Sequence, residues 1–371
     1  MESCVNNGLL RIARQRKGLS QGEAAKKLSM QQATLSRYEN AASVPPEDFL
    51  ALAALVYDLP QSFFYQTDIV FGGPVSVHPM WRKKQSVTVR ELDEIIAELN
   101  IRILHIRRLL EAVEFAPQIS IPKLDIDEYD EDEVNEYDEE IERIASTVRA
   151  HWLIPSGPFH DLTGIVERAG AIIIHSALGG SSVSGVTMSV PGLLPVIILN
   201  NEQPSDRARF TLAHELAHLV MHRFPNKDME KQANAFASAL LMPAKEIRDA
   251  FSGRIDLKRL AALKPEWKVS MQALLYRAQS LGLIERMHAS YLWRQFNFHR
   301  IKMREPAELD FPWERAGVMQ RMIRLHLENF GYSLPDFAQI LHLHTHQLDQ
   351  FYDIGMTPDN PAGGVRLRMV P

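Results

Sequence analysis

The chain has 371 residues, 46% of them apolar and 23% charged, with a formal net charge of -5. That length allows two or three domains with cores of their own, the composition is that of a globular protein, and the mild acidity means that any grip on a polyanion must be local. Cys4 is the sole cysteine, which excludes an internal disulfide. No apolar run reaches the ~18 residues of a membrane span. The opening "MESCVNNGLLRIARQRKG" lacks the layout of a signal peptide. A cytoplasmic protein with no membrane association is expected.

The local positive charge sits at the head. Residues 1–40 hold seven Lys/Arg against three acids, a net charge of +4. Leu9, Ile12 and Ala13 give a first helix its apolar face, and Gly18 breaks it. Ser20 and Glu23 form a capping-box pair for a second helix, with Ala24, Ala25 and Leu28 as its buried side. A short turn at Ser29-Met30 leads to a third helix, Gln31 to Tyr38, with Leu35 and Tyr38 inward. Pro45-Pro46 opens a fourth, "PPEDFLALAALVYDLP". Two helices joined by a tight turn can set the second in the major groove. Its outward residues are Gln31, Gln32, Thr34, Ser36 and Arg37. Gln pairs with adenine, and Arg with guanine or phosphate. The stretch "LSQGEAAKKLSMQQATLSRYENA" resembles the Xre/Cro/repressor type of helix-turn-helix. The resemblance implies that Gln21 also meets DNA, and that a homodimer reads a double-stranded operator with paired half-sites.

Four parts are expected: a helix-turn-helix domain at 1–67, a connector at 68–139, a mixed block at 140–283, and a helical region at 284–371. The connector opens with a Gly/Pro-bearing stretch, 68–86. A long amphipathic helix follows at 87–118, with Leu92, Ile95, Ile96, Leu99, Ile103 and Ile106 at helical spacing. Residues 125–142 hold twelve acids and no base. Like charges resist compaction, so this run reads as a solvated linker and helix start; a strip that mimics DNA is the sharper alternative. In the mixed block, 169–176, 181–190 and 194–200 are short β-branched runs between Gly and Pro, and read as strands. A helix then begins with Ser205 or Asp206 as its cap. A second helix, "MEKQANAFASALLM", ends at Pro243. The fold class expected is α+β.

The helix after the strands contains "TLAHELAHLVMH". Residues four apart share a helix face, so His214 and His218 can present two imidazoles to one metal ion, with Glu215 beside them as acid/base. Fourteen histidines in the chain make that pair alone a weak sign. A catalytic zinc usually has three protein ligands. His222 shares the face, but a metzincin would place its third histidine at position 224, which is Phe. His222 is therefore expected to bind substrate or close the helix. Glu230 opens the next helix and can be a ligand or simply a favourable first-turn acid. Asn234, one turn on, could orient a ligand histidine.

"RFTLAHELAHLVMH" followed by "EKQANAFASALLMP" resembles the ImmA/IrrE family of metallopeptidase domains. "IASTVRAHWLIPSGPFHDLTGIVERAGAIII", "SVSGVTM" and "PVIILN" extend the likeness over 140–245. The resemblance implies a zincin-like domain with His214, His218 and Glu230 as zinc ligands and Glu215 as the catalytic acid/base. It also implies a role like that of relatives that cut a repressor to switch genes of phages, mobile elements or stress responses. Gln232 stands where many relatives carry a second glutamate, so Glu230 alone remains as the third ligand. Zinc is the default for this donor set, and manganese the alternative.

In the tail, 256–284 reads as two helices around a Pro-Glu-Trp turn, packed through Trp267, Val269, Leu274 and Leu275. "GYSLPDFAQILHLHTHQL" echoes the head's "GLSQGEAAKKLSMQQATL", with Ala338 where Ala25 stands and Leu341 where Leu28 stands. Its second helix has no Lys or Arg, which favours protein contact over DNA contact. His342, His344 and His346 would scatter over different helix faces and do not suggest a metal site. The last dozen residues read as loose. Two functions fit these features. One is a DNA-bound regulator with a working peptidase that cuts a repressor or itself, the 68–86 connector being a natural cut point. The other is a non-catalytic repressor or antitoxin whose peptidase-like domain binds a partner such as a toxin.

Overall fold

The computed structural model describes residues 5–71, 88–124, 134–178, 183–224, 226–352, 354 and 366–369. The head is helical: α1 (Asn7–Arg16), α2 (Gln21–Lys27), α3 (Gln32–Glu39) and α4 (Glu47–Tyr57). The expected capping box forms, Ser20 taking the Glu23 amide while Glu23 takes the Ser20 amide, which satisfies two donors that a helix start leaves free. A buried ion pair ties the helices together. Arg14 Nε meets Glu39 Oε1 at 2.6 Å and Arg14 Nη2 meets Oε2 at 2.8 Å.

The expected long helix stops early. It is α5 (Val89–Leu110), and strand β1 (Val113–Ala116) follows it. β1 pairs antiparallel with β5 (Arg366–Met369), Val113 opposite Met369. Residues 366–369 are therefore a strand, where a loose end was expected, because β1 offers them a free edge. Nor is α5 a tether: Ile95, Leu99, Ile101, Ile103 and Ile106 are buried in one cluster with the head. Gly18, with φ of 60°, turns the chain where the side chains of Glu94 and Arg90 on α5 come close. The rest of the 68–86 connector from residue 72 on, the acidic run before residue 134, and 181–182 lie outside the described residues.

The mixed block contains α6 (Val134–His151), α7 (Leu162–Arg168) and strands β2 (Ile172–Ser176), β3 (Gly185–Met188) and β4 (Val196–Asn200). The sheet order is β2-β4-β3, parallel between β2 and β4 and antiparallel between β4 and β3. Nearly every residue of these strands is buried because both faces are covered. Alternation sends Ile172, Ile174, Val186 and Ile198 to the cluster that includes the head. It sends Ile173, Ile197 and Leu199 to a second cluster, shared with α8 (Ser205–Met221) and α9 (Met229–Leu241). The sheet thus divides the molecule. Pro204, not Ser205 or Asp206, stands at the α8 N-cap. Those two side chains are drawn elsewhere: Ser205 Oγ donates to Phe311 O at 2.7 Å, and Asp206 takes the Lys264 ammonium at 2.5 Å.

The tail comprises α10 (Ala244–Ala250), α11 (Leu257–Trp267), α12 (Met271–Ser280), α13 (Arg286–Phe298), α14 (Val318–Arg324), α15 (Leu334–Ile340) and α16 (Thr345–Tyr352). Pro265 lies inside α11, so the turn expected at Pro-Glu-Trp comes after it, at Lys268 with φ of 51°. The expected echo of the head is structural as well as sequential. Ser333 and Asp336 cap α15 as Ser20 and Glu23 cap α2. His342 (φ 51°) turns the chain as Ser29 (φ 52°) does. Leu343 N bonds Ala338 O and Met30 N bonds Ala25 O, both at 2.9 Å. This second unit faces inward. Gln347, fully buried, donates to Asp58 O at 2.7 Å, and His342 bonds Ser62 at 3.0 Å.

Candidate metal centre and nucleic-acid face

On the head, α3 exposes Gln32 and Arg37. Gln31 is its N-cap residue and is also exposed, while Thr34 and Ser36 are half-buried. Gln21 behaves differently. Its amide donates to Glu39 Oε2 at 2.9 Å, so it completes the Arg14–Glu39 network from the edge of the same face.

Across the sheet, α8 carries His214, Glu215 and His218, and α9 begins with Glu230. Ala213 and Ala217 on α8, and Ala233 and Ala237 on α9, are buried. Their small side chains let the two backbones approach closely, which carries Glu230 to the histidines. Nε2 of His214 lies 3.2 Å from Nε2 of His218. Glu230 oxygens lie 3.5 Å from the first and 3.6 Å from the second.

Hydrogen bonds decide which ring nitrogens carry protons. His214 Nδ1 donates to Asn234 Oδ1 at 3.1 Å, so in the neutral ring Nε2 is the lone pair. Gln232 Oε1 accepts from Asn226 Nδ2 at 3.2 Å and from His222 Nε2 at 2.8 Å. His222 Nδ1 must then accept, from His218 Nδ1 at 2.9 Å, and His218 Nε2 is left bare as well. Burial pushes His218 down to about 2, with the charges of His214 and His222 acting the same way. Burial also lowers His222. His214 is raised: burial opposes its charge, but Glu230, Glu215 and Asn234 outweigh that.

Residues 8–62 match the family model described as a helix-turn-helix domain, and residues 166–279 match a peptidase-family model described as an IrrE N-terminal-like domain. This chain joins a helix-turn-helix domain to an IrrE-like domain. A comparison with curated proteins found no match. No helix among the described residues is long and apolar enough to cross a membrane.

With both rings neutral, two imidazole lone pairs and a carboxylate point at one another, an arrangement that a cation between them stabilises, as a proton on His214 does without one. Metal bonds of about 2.0–2.1 Å in a tetrahedral site put ligand atoms roughly 3.3 Å apart. The separations of 3.2, 3.5 and 3.6 Å fit that spacing, and these three residues form the metal-capable group found among the described residues. In the IrrE-like domain, then, His214, His218 and Glu230 come together as a site that fits a divalent metal, with Asn234 and His222 behind them. Glu215 is buried on the same helix. Gln232 was set aside as a ligand from the sequence, which gave no sign of its contact with His222. It lies on another face of α9 from Glu230, but that face meets His222, and only the helix–helix contact reveals it.

A cleft of about 1280 Å³ opens beside the centre, with Phe210, Asn234, Ala235, Ser238 and Tyr276 in its walls. Arg207, Lys231, Arg248, Glu139 and Glu142 also line it.

Proposed function

We propose that this chain is a DNA-binding regulator whose IrrE-like domain is a zinc-dependent endopeptidase, acting on a protein partner such as a repressor or on its own chain. The observation that carries this reading is the convergence of two imidazole nitrogens and a carboxylate beside Glu215, on a chain that also presents an exposed recognition helix. His214, His218 and Glu230 would hold the metal. When bound, zinc supplies a Lewis acid that polarises the scissile carbonyl and lowers the pKa of water. Glu215 takes a proton at its carboxylate and returns it to the leaving amine. Asn234 holds the His214 ring in register, and Gln232 does so for His218 through His222. The cleft of about 1280 Å³ has the volume to take a short stretch of peptide. On the head, Gln31, Gln32, Thr34, Ser36 and Arg37 face an operator, and a homodimer would set two heads on paired half-sites.

Metal content by mass spectrometry tests the centre: about one zinc per chain is expected, as for a three-ligand catalytic site, and none in His214→Ala. Glu215→Gln should keep the metal and lose cleavage of chain or partner by about 10²-fold or more. A metal-loaded Glu215→Gln protein that still cleaves would overturn the assignment. Regulation that persists in that variant would favour a domain that binds a partner, such as a toxin, without cutting it.

A further inference from the structure

A second cavity, of about 800 Å³, lies where α1, α5 and α16 meet the carboxyl ends of β2 and β4. Carboxyl ends of parallel strands are where open sheets commonly hold ligands, and the volume suits a small molecule. Ile95, Ile173, Ile174 and Met319 supply apolar wall. The charged lining balances in number but not in pairing. Glu98 is taken by Arg102 Nε at 2.8 Å, Glu94 by Arg90 at 3.3 Å, and Asp349 is itself engaged. Arg16 and Arg315 remain, and neither makes an ion pair among the described residues. Arg16 is held over the Phe351 ring, 4.9 Å from its centroid, and its buried Nη1 has no hydrogen-bond acceptor. Burial works against its charge, and the charges of Glu98 and Asp58 only partly offset that. A desolvated donor without an acceptor is costly, and an anion placed against it recovers that cost.

We propose that this cavity binds a small organic oxyanion, its charged head on Arg16 and its apolar body against Ile173, Ile174 and Met319. The occupant would touch three functional parts together. Arg16 belongs to the helix-turn-helix head, Ser176 ends β2, and Asn201 lies in the short link between β4 and α8. The head shared by candidate ligands is an oxyanion, from either a phosphoester or a carboxylate, and two probes separate these sources.

The test is thermal melting and calorimetry of the full metal-loaded chain at fixed ionic strength, with phenyl phosphate, benzoate and phenol. At least one of the two anions should raise the melting temperature by about 2 °C or more at saturation. Phenol should not, and Arg16→Met should abolish the rise. A response to phenyl phosphate alone assigns a phosphoester, and to benzoate alone a carboxylate. No rise with either anion, or an undiminished rise in Arg16→Met, overturns the proposal. If Arg16→Met does not fold, Arg315→Met is the second variant, and it should weaken the responding anion by about tenfold; unchanged affinity there counts against the site.

Discussion

The two histidines proposed as metal ligands are held in place by neighbouring polar side chains. Gln232 fixes the proton on His222, His222 fixes that on His218, and Asn234 does the same for His214. Removing such a partner typically costs 10–100-fold in metal affinity, by the general behaviour of groups behind metal ligands. Gln232→Leu should therefore weaken zinc binding by about 10–100-fold in a chelator competition. Gln232→Glu, which still accepts from His222 Nε2, should recover most of the loss. Equal affinity in the wild type and Gln232→Leu would show that His222 orients His218 unaided. The HExxH spacing was readable in the sequence because four residues span one helical turn. Gln232 was not, because its partner is ten residues away across a helix junction.

The helix that carries the centre rests on the sheet through Gly185. A Cβ at Gly185 would lie 2.6 Å from Thr211 Cγ2 and 3.2 Å from Ile198 O. Gly185→Ala should destabilise the fold by about 1–3 kcal/mol, as overpacking does. Urea denaturation measures it, and adding Thr211→Ser, which removes the clashing methyl, should restore part of the loss. A Gly185→Ala protein as stable as the wild type would mean that α8 can lift off the strand freely. The β-branched runs identified the strands, but nothing local marked Gly185 as a place of close approach. The long helix α5 was found by periodicity, whereas its burial was not, because the head that covers it is separated from it in sequence.

The head, α5, one sheet face and the tail form one apolar cluster with His105 inside it; His175 lies on the other face of the sheet, with Ile173 and Leu199, and burial keeps both imidazoles neutral. Burial holds His175 down to about 4 and His105 well below its ordinary value. The unfolded chain takes up protons as pH falls through about 6.5, while the folded His175 does not until about 4. Stability present above pH ~6.5 should therefore be lost as pH falls toward 4. Melting temperatures between these limits should fall less steeply for His175→Gln than for the wild type; parallel slopes would show that His175 titrates alike in both states. The tail adds a bond across the molecule, Gln347 to Asp58 O at 2.7 Å. Gln347→Leu leaves that carbonyl without its donor and should cost about 1–3 kcal/mol in urea denaturation.

Local chemistry made much of this protein legible in advance. Caps at Ser20 and Glu23, apolar periodicity, β-branched runs and the His214–His218 spacing all act over a few residues, and each gave the type of element expected, though α5 ends at Leu110 and the strands are shorter than their runs. The tail's likeness to the head was also visible, down to its Ala and Leu positions. Other features depend on partners distant in the chain, which no short window of sequence holds together. The β1–β5 pairing, the inward turn of α16, the meeting of Glu230 with the two histidines and the cavity behind Arg16 were decided only when long-range packing brought those surfaces into contact.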